Sequence, residues 1–170
     1  MTYQTALQRA TALCAGSEHC IHDIQEKLRR WELPEEEALQ LIDYLVDEKY
    51  IDEERFARAY AKDKMRYNRW GRQKIDQGLR LLEIASPLRR QALEELPESE
   101  YREILTGLLQ GKLHSVKARN DYDRKAKLIR FALGRGFEMN LIYQCMPELE
   151  EVAEGCDWEE DGDNGEDLGI

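Results

Sequence analysis

The sequence predicts an all-α protein of three tandem three-helix repeat units, stacked into an elongated, curved array and followed by an acidic, disordered C-terminal tail. Three observations carry that expectation. Leu occurs 22 times but Val only 3 and Thr only 4 times, a poor supply of the β-branched residues that strands favour. Charged residues make up 35% of the 170 residues, well above an average domain, so every element must present a broad solvated face. The third observation is an apolar pattern that recurs three times.

Ile24, Leu28, Leu33, Leu41, Ile42 and Leu45 align without gaps on Ile75, Leu79, Ile84, Ala92, Leu93 and Leu96, and again on Leu128, Ala132, Phe137, Cys145, Met146 and Leu149. The offsets are 51 and 53 residues. In each set the first two positions, spaced i, i+4, mark an amphipathic helix. Ser17, Asn68 and Asp121 stand seven residues upstream and are read as its N-caps. A tight turn then delivers one apolar residue, Leu33, Ile84 or Phe137. A further helix follows, opened in two copies by Pro34 or Ser86-Pro87. Apolar stretches before each cap (Ala6/Leu7/Ala10/Leu13/Cys14, Phe56/Ala59/Tyr60, Ile104/Leu105/Leu108/Leu109) supply the remaining helix. The expected units are 1–51, 52–98 and 99–150, with the tail at 151–170. A unit of that size buries too little alone, so neighbours are expected to stack.

The junction Tyr50-Ile51-Asp52-Glu53-Glu54-Arg55-Phe56-Ala57 reads as a helix start. Asp52 caps it, Glu53 and Glu54 face the positive end of its dipole, and Ile51 with Phe56 has hydrophobic-staple spacing.

Charge is segregated along the chain. The net of −10 combines −8 over residues 1–54, +8 over 55–92 and +6 over 112–135 with eleven acids and no Lys or Arg over 148–170. The basic blocks suit phosphate or an acidic protein surface, and the acidic tail is a competitor for them. Cys14, Cys20, Cys145 and Cys156 form no Cys-x-x-Cys pair and are read as reduced. The cluster of Cys14, His19, Cys20 and His22 fits no common zinc spacing, so no metal and no cofactor are expected. No apolar run is long enough for a membrane helix, which points to a soluble, cytoplasmic chain.

Tyr50-Ile51-Asp52-Glu53-x-Arg55-Phe56-Ala57, followed by Gly71-x-x-x-Ile75-x-x-x-Leu79 and Ile84, resembles the RecX family of bacterial RecA regulators. So do Lys125-x-Lys127-x-x-Arg130-Phe131-x-x-x-Arg135-Gly136-Phe137 and Ser17-Glu18 leading into Asp23-Ile24-x-x-Lys27-Leu28. The resemblance spans about residues 6–149. It implies a non-enzymatic regulator that lodges in the groove of the RecA–DNA filament and curbs RecA's recombinase, ATPase and coprotease activities. The family often has proline after the glycine matching Gly71, where this chain has Arg72.

No phosphate loop, dinucleotide fingerprint or His-Glu-x-x-His pair is present, so no catalytic residue is assigned. The candidate contacts to RecA, and weakly to single- or double-stranded DNA phosphates, are Arg55, Arg58, Lys62, Arg66, Arg69, Arg72 and Lys74 in the second unit. Lys125, Lys127, Arg130 and Arg135 are those of the third. Asp52, Phe56, Tyr60, Gly71, Ile75 and Leu79 are expected to hold the second unit together, with Gly71 permitting close packing. Phe131 and Phe137 are read as core, and Trp70 as a staple of its turn. The alternative to a RecA regulator, expected to be monomeric, is a helix-turn-helix-like protein acting on duplex DNA without RecA; a further one is a purely structural adaptor.

Overall fold

The computed structural model describes residues 1–147, and the acidic tail and Leu149 lie outside the described residues. Nine helices follow one another among the described residues. They are α1 (Tyr3–Gly16), α2 (Ile21–Arg30), α3 (Glu35–Asp47), α4 (Glu53–Asn68), α5 (Arg72–Leu81), α6 (Ser86–Glu94), α7 (Glu98–Ser115), α8 (Asp121–Gly134) and α9 (Met139–Cys145). The all-α class and its repeating helices are as the composition and the apolar register indicate.

The repeat is carried by an identical turn at the ends of α2, α5 and α8. There Glu32, Glu83 and Gly136 adopt left-handed backbone, with φ of 56°, 59° and 96°. Each donates its N–H three residues back, to the carbonyls of Arg29, Arg80 and Leu133. The next residue donates five back, Leu33 to Leu28, Ile84 to Leu79 and Phe137 to Ala132, at 3.1–3.2 Å. These paired bonds define a Schellman motif, which satisfies the last carbonyls of a helix and reverses the chain. Leu33, Ile84 and Phe137 are thereby turned inward, and all three are buried.

The N-cap expectation fails at the same three helices. Ser17 is the C-cap of α1, and α2 starts after Cys20, which makes no side-chain cap. The N–H of Ile21 is met instead by Glu53 Oε1 at 3.1 Å, from 32 residues downstream. Asn68 ends α4 rather than starting α5. At α8 the cap is Asn120, one residue before Asp121; its side chain accepts from Asp123 N–H at 2.8 Å while Asp123 accepts from Arg119 N–H at 3.1 Å. Asp52 does cap α4, accepting from Arg55 N–H at 3.0 Å, and Ile51 and Phe56 are both buried.

The described residues gather into two compact bodies. The first is Met1–Lys62 with Asp76–Glu95, and the second is Asp63–Ile75 with the chain from Leu96 onward. In the first, Ala6 and Ala10 of α1 meet Ile24, Leu28, Leu33, Leu41, Ile42, Leu45 and Ile51 in one apolar cluster. Alanines at both α1 positions let its backbone approach closely. Tyr60 closes over Gly78, where an added Cβ would lie 2.1 Å from the tyrosine oxygen.

In the second body, α7 buries Tyr101, Leu105, Leu108, Leu109 and Leu113, and α8 buries Leu128 and Ala132. The last helix departs from the aligned register. Leu141 and Ile142 are buried, whereas Cys145 and Met146 are only half-buried. The core positions have moved back by one helical turn on the same face. Phe137 is fully buried, but Phe131 is not: it lies half-buried under Lys112 and Arg135.

Glu83 holds a left-handed conformation that costs a non-glycine residue about 1–2 kcal/mol. Its N–H bond and those of Ile84 need only backbone. Glu83→Gly is therefore expected to raise unfolding stability by about 0.5–1 kcal/mol, net of glycine's greater freedom in the unfolded chain, as measured by urea denaturation.

Candidate functional site

The candidate contact residues fall into two groups, one in each body. Arg55, Arg58 and Lys62 belong to the first body and the other eight to the second. The two arginines of the first group are engaged by carboxylates: Arg55 binds Glu18, and Arg58 binds both Glu54 and Glu95 at 2.7 Å. Those partners hold the Arg58 guanidinium above its ordinary pKa and Glu95 below the usual carboxylate value, first through the Arg58–Glu95 hydrogen bond. Both groups are exposed, so such pairs contribute little to stability.

In the second body, the turns after α4 and α8 are joined backbone to backbone. Gly71 N–H donates to Arg135 O at 2.7 Å, Gln73 N–H to Gly136 O at 3.0 Å, and Arg135 Nη1 to Asn68 O at 3.2 Å. A Cβ on Gly71 would stand 2.3 Å from the Gly136 carbonyl carbon, and one on Gly136 would stand 2.5 Å from Lys74 Cβ. Two glycines from different repeats thus permit an approach that no side chain allows.

This junction brings aromatic rings and cations together. Lys64 and Lys74 each place a nitrogen 4.9 Å from the Trp70 ring centre. Lys112 and Arg135 flank Phe131 at 5.1 and 5.6 Å. Lys74 packs against Gly136, the neighbour of Arg135, so the turn junction links the two clusters. Trp70 is therefore more than a staple of its turn: it carries charge on its ring faces. Further along α8, Lys127 reaches the Lys117 carbonyl at 2.6 Å and Asp123 at 3.6 Å, Lys125 lies 5.3 Å from the Tyr143 ring, and Arg130 is exposed.

Arg72 supports the junction from beneath. Its N–H donates to Tyr101 Oη at 3.0 Å, and its guanidinium stacks 4.0 Å over the Tyr101 ring. The tyrosine hydroxyl donates onward to Glu138 at 3.0 Å, and Arg72 pairs with Glu98 at 2.7 Å and Glu138 at 3.5 Å. Tyr101 is fully buried, and that burial pushes its hydroxyl pKa up. The bond from Arg72 holds Glu98 below the usual carboxylate range. A proline after Gly71 could not make the N–H bond to Tyr101. Nothing in the residue pattern singled out Tyr101 or Glu138; the only signal was Tyr101 lying in register with the apolar positions of α7.

Arg66 forms a two-bonded pair with Glu100 at 2.7 and 3.1 Å. Together with Arg69, Glu103, Ile104 and Gly107 it lines an open groove of about 550 Å³. Arg69 itself is exposed in left-handed backbone, with φ 54°. Among the described residues no cluster of His, Cys, Asp and Glu suits a metal ion, and no helix is long and apolar enough to cross a membrane.

Two family profiles match the chain: the second three-helix domain of RecX over residues 52–93 and the third over residues 99–146. Together they take in just over half of it. The chain belongs to the RecX family. A "Regulatory protein RecX" from Acinetobacter baylyi is 29% identical over 144 residues, covering 84% of this chain and 86% of that protein. One of the same name from Bacillus mycoides is 22% identical over 129 residues, and there the match spans 48% of the relative's length. In fold, the crystal structure of RecX from Lactobacillus salivarius superposes with a TM-score of 0.74 at 18% identity, over 88% of this chain and 97% of that one. A second RecX crystal structure gives the same TM-score at 19% identity, over 88% and 71%. Both of these sequence relatives carry the name of a regulatory protein.

Two outcomes test the site's construction. Gly71→Ala should destabilise the chain by about 1–3 kcal/mol, since backbone rather than a movable side chain occupies the space, and thermal denaturation reads this. The Glu98–Arg72 pair gives stability that is present above the carboxyl's ordinary value of 4.5 and is lost as pH falls through its depressed folded value. NMR titration of the Glu98 carboxyl should therefore show a midpoint below 4.5 that rises towards it in Arg72→Gln.

Proposed function

We propose that this chain regulates RecA by binding the RecA–DNA filament, and that the cationic, aromatic-backed face of its second body is the main contact. The observation that carries the reading is the row Lys64–Trp70–Lys74 joined to Arg135–Phe131–Lys112, fixed by the Gly71–Gly136 backbone contact. Membership of a family whose members are named regulatory proteins supports the same direction. Over its described residues the second body has fourteen Lys/Arg against seven Asp/Glu, a net of +7. Such a body is drawn to an acidic protein groove lined with phosphates, and its steering falls with salt.

Arg69, Lys74, Arg130, Lys125, Lys127 and Arg135 make the primary contacts. Arg66 and Arg72 hold the surface in shape through Glu100 and Glu98. Arg55 and Arg58 add contacts from the first body after exchanging their present carboxylate partners, and Lys62 adds a further one. The chain carries out no reaction of its own. It works in the cytoplasm as a monomer, occupies the groove and thereby opposes the filament's changes of state, curbing ATP hydrolysis, strand exchange and coprotease action.

The test is RecA ATPase activity on single-stranded DNA in the presence of this chain. Wild type should inhibit, and Arg69→Gln/Lys74→Gln/Arg130→Gln should raise the concentration needed by about tenfold while leaving helix content unchanged. Undiminished inhibition by the triple variant would remove the surface assignment. Tight binding to duplex DNA with no effect on RecA would favour the helix-turn-helix alternative.

A further inference from the structure

We infer that the cationic row of the second body is a docking surface for the chain's own acidic segment, residues 148–170, which holds it against other polyanions until they displace it. The inference does not rest on the RecA reading. Its first support is how charge is distributed among the bodies. The first body carries eleven Lys/Arg against seventeen Asp/Glu, a net of −6, while the described part of the second is +7. The segment after Pro147 adds eleven acids and no Lys or Arg. It is thus repelled by one body and attracted by the other.

The second support is tethering. The segment continues directly from α9, which belongs to the second body. Its 23 residues can extend up to roughly 75–80 Å. Every point on a body of this size is within that reach. A tethered ligand competes at an effective concentration in the millimolar range, so weak individual contacts suffice.

The third support is the surface itself. Lys74 and Arg135 spend their cations on aromatic faces and a backbone carbonyl rather than on carboxylates, and Arg69 and Arg130 are exposed. A carboxylate arriving at Lys74 or Arg135 adds an ion pair without displacing a carboxylate already bound to either. Trp158, among the acids of the segment, brings an indole to a row built of stacked rings and cations. By contrast Arg55, Arg58 and Arg66 are already held by Glu18, Glu95 and Glu100, so an incoming acid would have to compete for them.

The chain supplies its own reporter, Cys156. In a full-length Cys14→Ser/Cys145→Ser background a nitroxide attaches to Cys156, because burial pushes the Cys20 thiol up to about 12 and keeps it unreactive at neutral pH. At about 50 mM salt the nitroxide should broaden the NMR signals of the Trp70 indole and the amides of Lys74, Arg135 and Lys112, leaving the Trp31 indole of the first body sharp. Raising salt to about 1 M should restore them. No broadening at low salt, or broadening centred on Trp31, overturns the inference. So does broadening that appears only between a spin-labelled copy and an unlabelled isotopic copy, which would make the contact intermolecular. In parallel, the full chain with the eleven acids changed to Asn or Gln should bind an oligothymidylate about tenfold more tightly at low salt. Equal affinities would also overturn it.

Discussion

The constraint on which this architecture depends is the left-handed residue that ends a helix. At Glu32, Glu83 and Gly136 it lets the chain reverse within two residues and still satisfy the helix's last carbonyls. The reversal sets the direction of the next apolar side chain, so Leu33, Ile84 and Phe137 enter the interior. Each following helix inherits its position from that step. Lys49 and Arg69, also left-handed, end α3 and α4 in a related way, with Ile51 and Trp70 donating six residues back. A small set of backbone bonds, more than any cap side chain, makes the helices repeat.

The same device makes the candidate site. Arg69 turns the chain out of α4 and presents Gly71, and Gly136 turns it out of α8; the two turns meet with no room for a Cβ on either. Because the meeting is between backbones, its geometry is insensitive to the rotamers around it, and cations carried on both turns are held in fixed relation. Tyr101 then closes the space beneath, satisfying Arg72 N–H above and Glu138 below while burying its ring against Phe137 at 5.1 Å. A buried hydroxyl with both its donor and acceptor roles used is the condition under which such a polar centre stabilises a fold.

The apolar register of the repeats was legible in the sequence because burial imposes it: Ile24, Leu28, Ile75, Leu79 and Leu128 are all fully buried. The caps were not. Ser17, Asn68 and Asp121 have the right chemistry in the right register, but α2 takes its N-terminal partner from Glu53, across a sequence distance that no local pattern reports. Left-handed turns were half legible: Gly136 is the expected residue, whereas Glu32 and Glu83 give no composition signal because tertiary packing carries the strain. The slip of the α9 core from Cys145 and Met146 to Leu141 and Ile142 has the same origin. A shift of four residues keeps the face, so the pattern alone cannot choose between the two turns.

The cationic residues show where sequence reading stops for a physical reason. A run such as Arg55 to Lys74 looks uniform, yet its members meet different environments. Arg55, Arg58, Arg66 and Arg72 each find a carboxylate 26 to 37 residues away, and Arg58 a second one in Glu54 four residues back, so the acids nearby in the chain are a poor guide to their pairing. Lys74 and Arg135 meet rings instead, and a ring stabilises a cation without cancelling its charge. Local charge density is readable from composition, but the charge left available to a partner depends on which side chains the fold has already brought to each cation. Here that selection favours the turn junction of the second body, where glycine removes side-chain bulk and aromatic rings replace carboxylates.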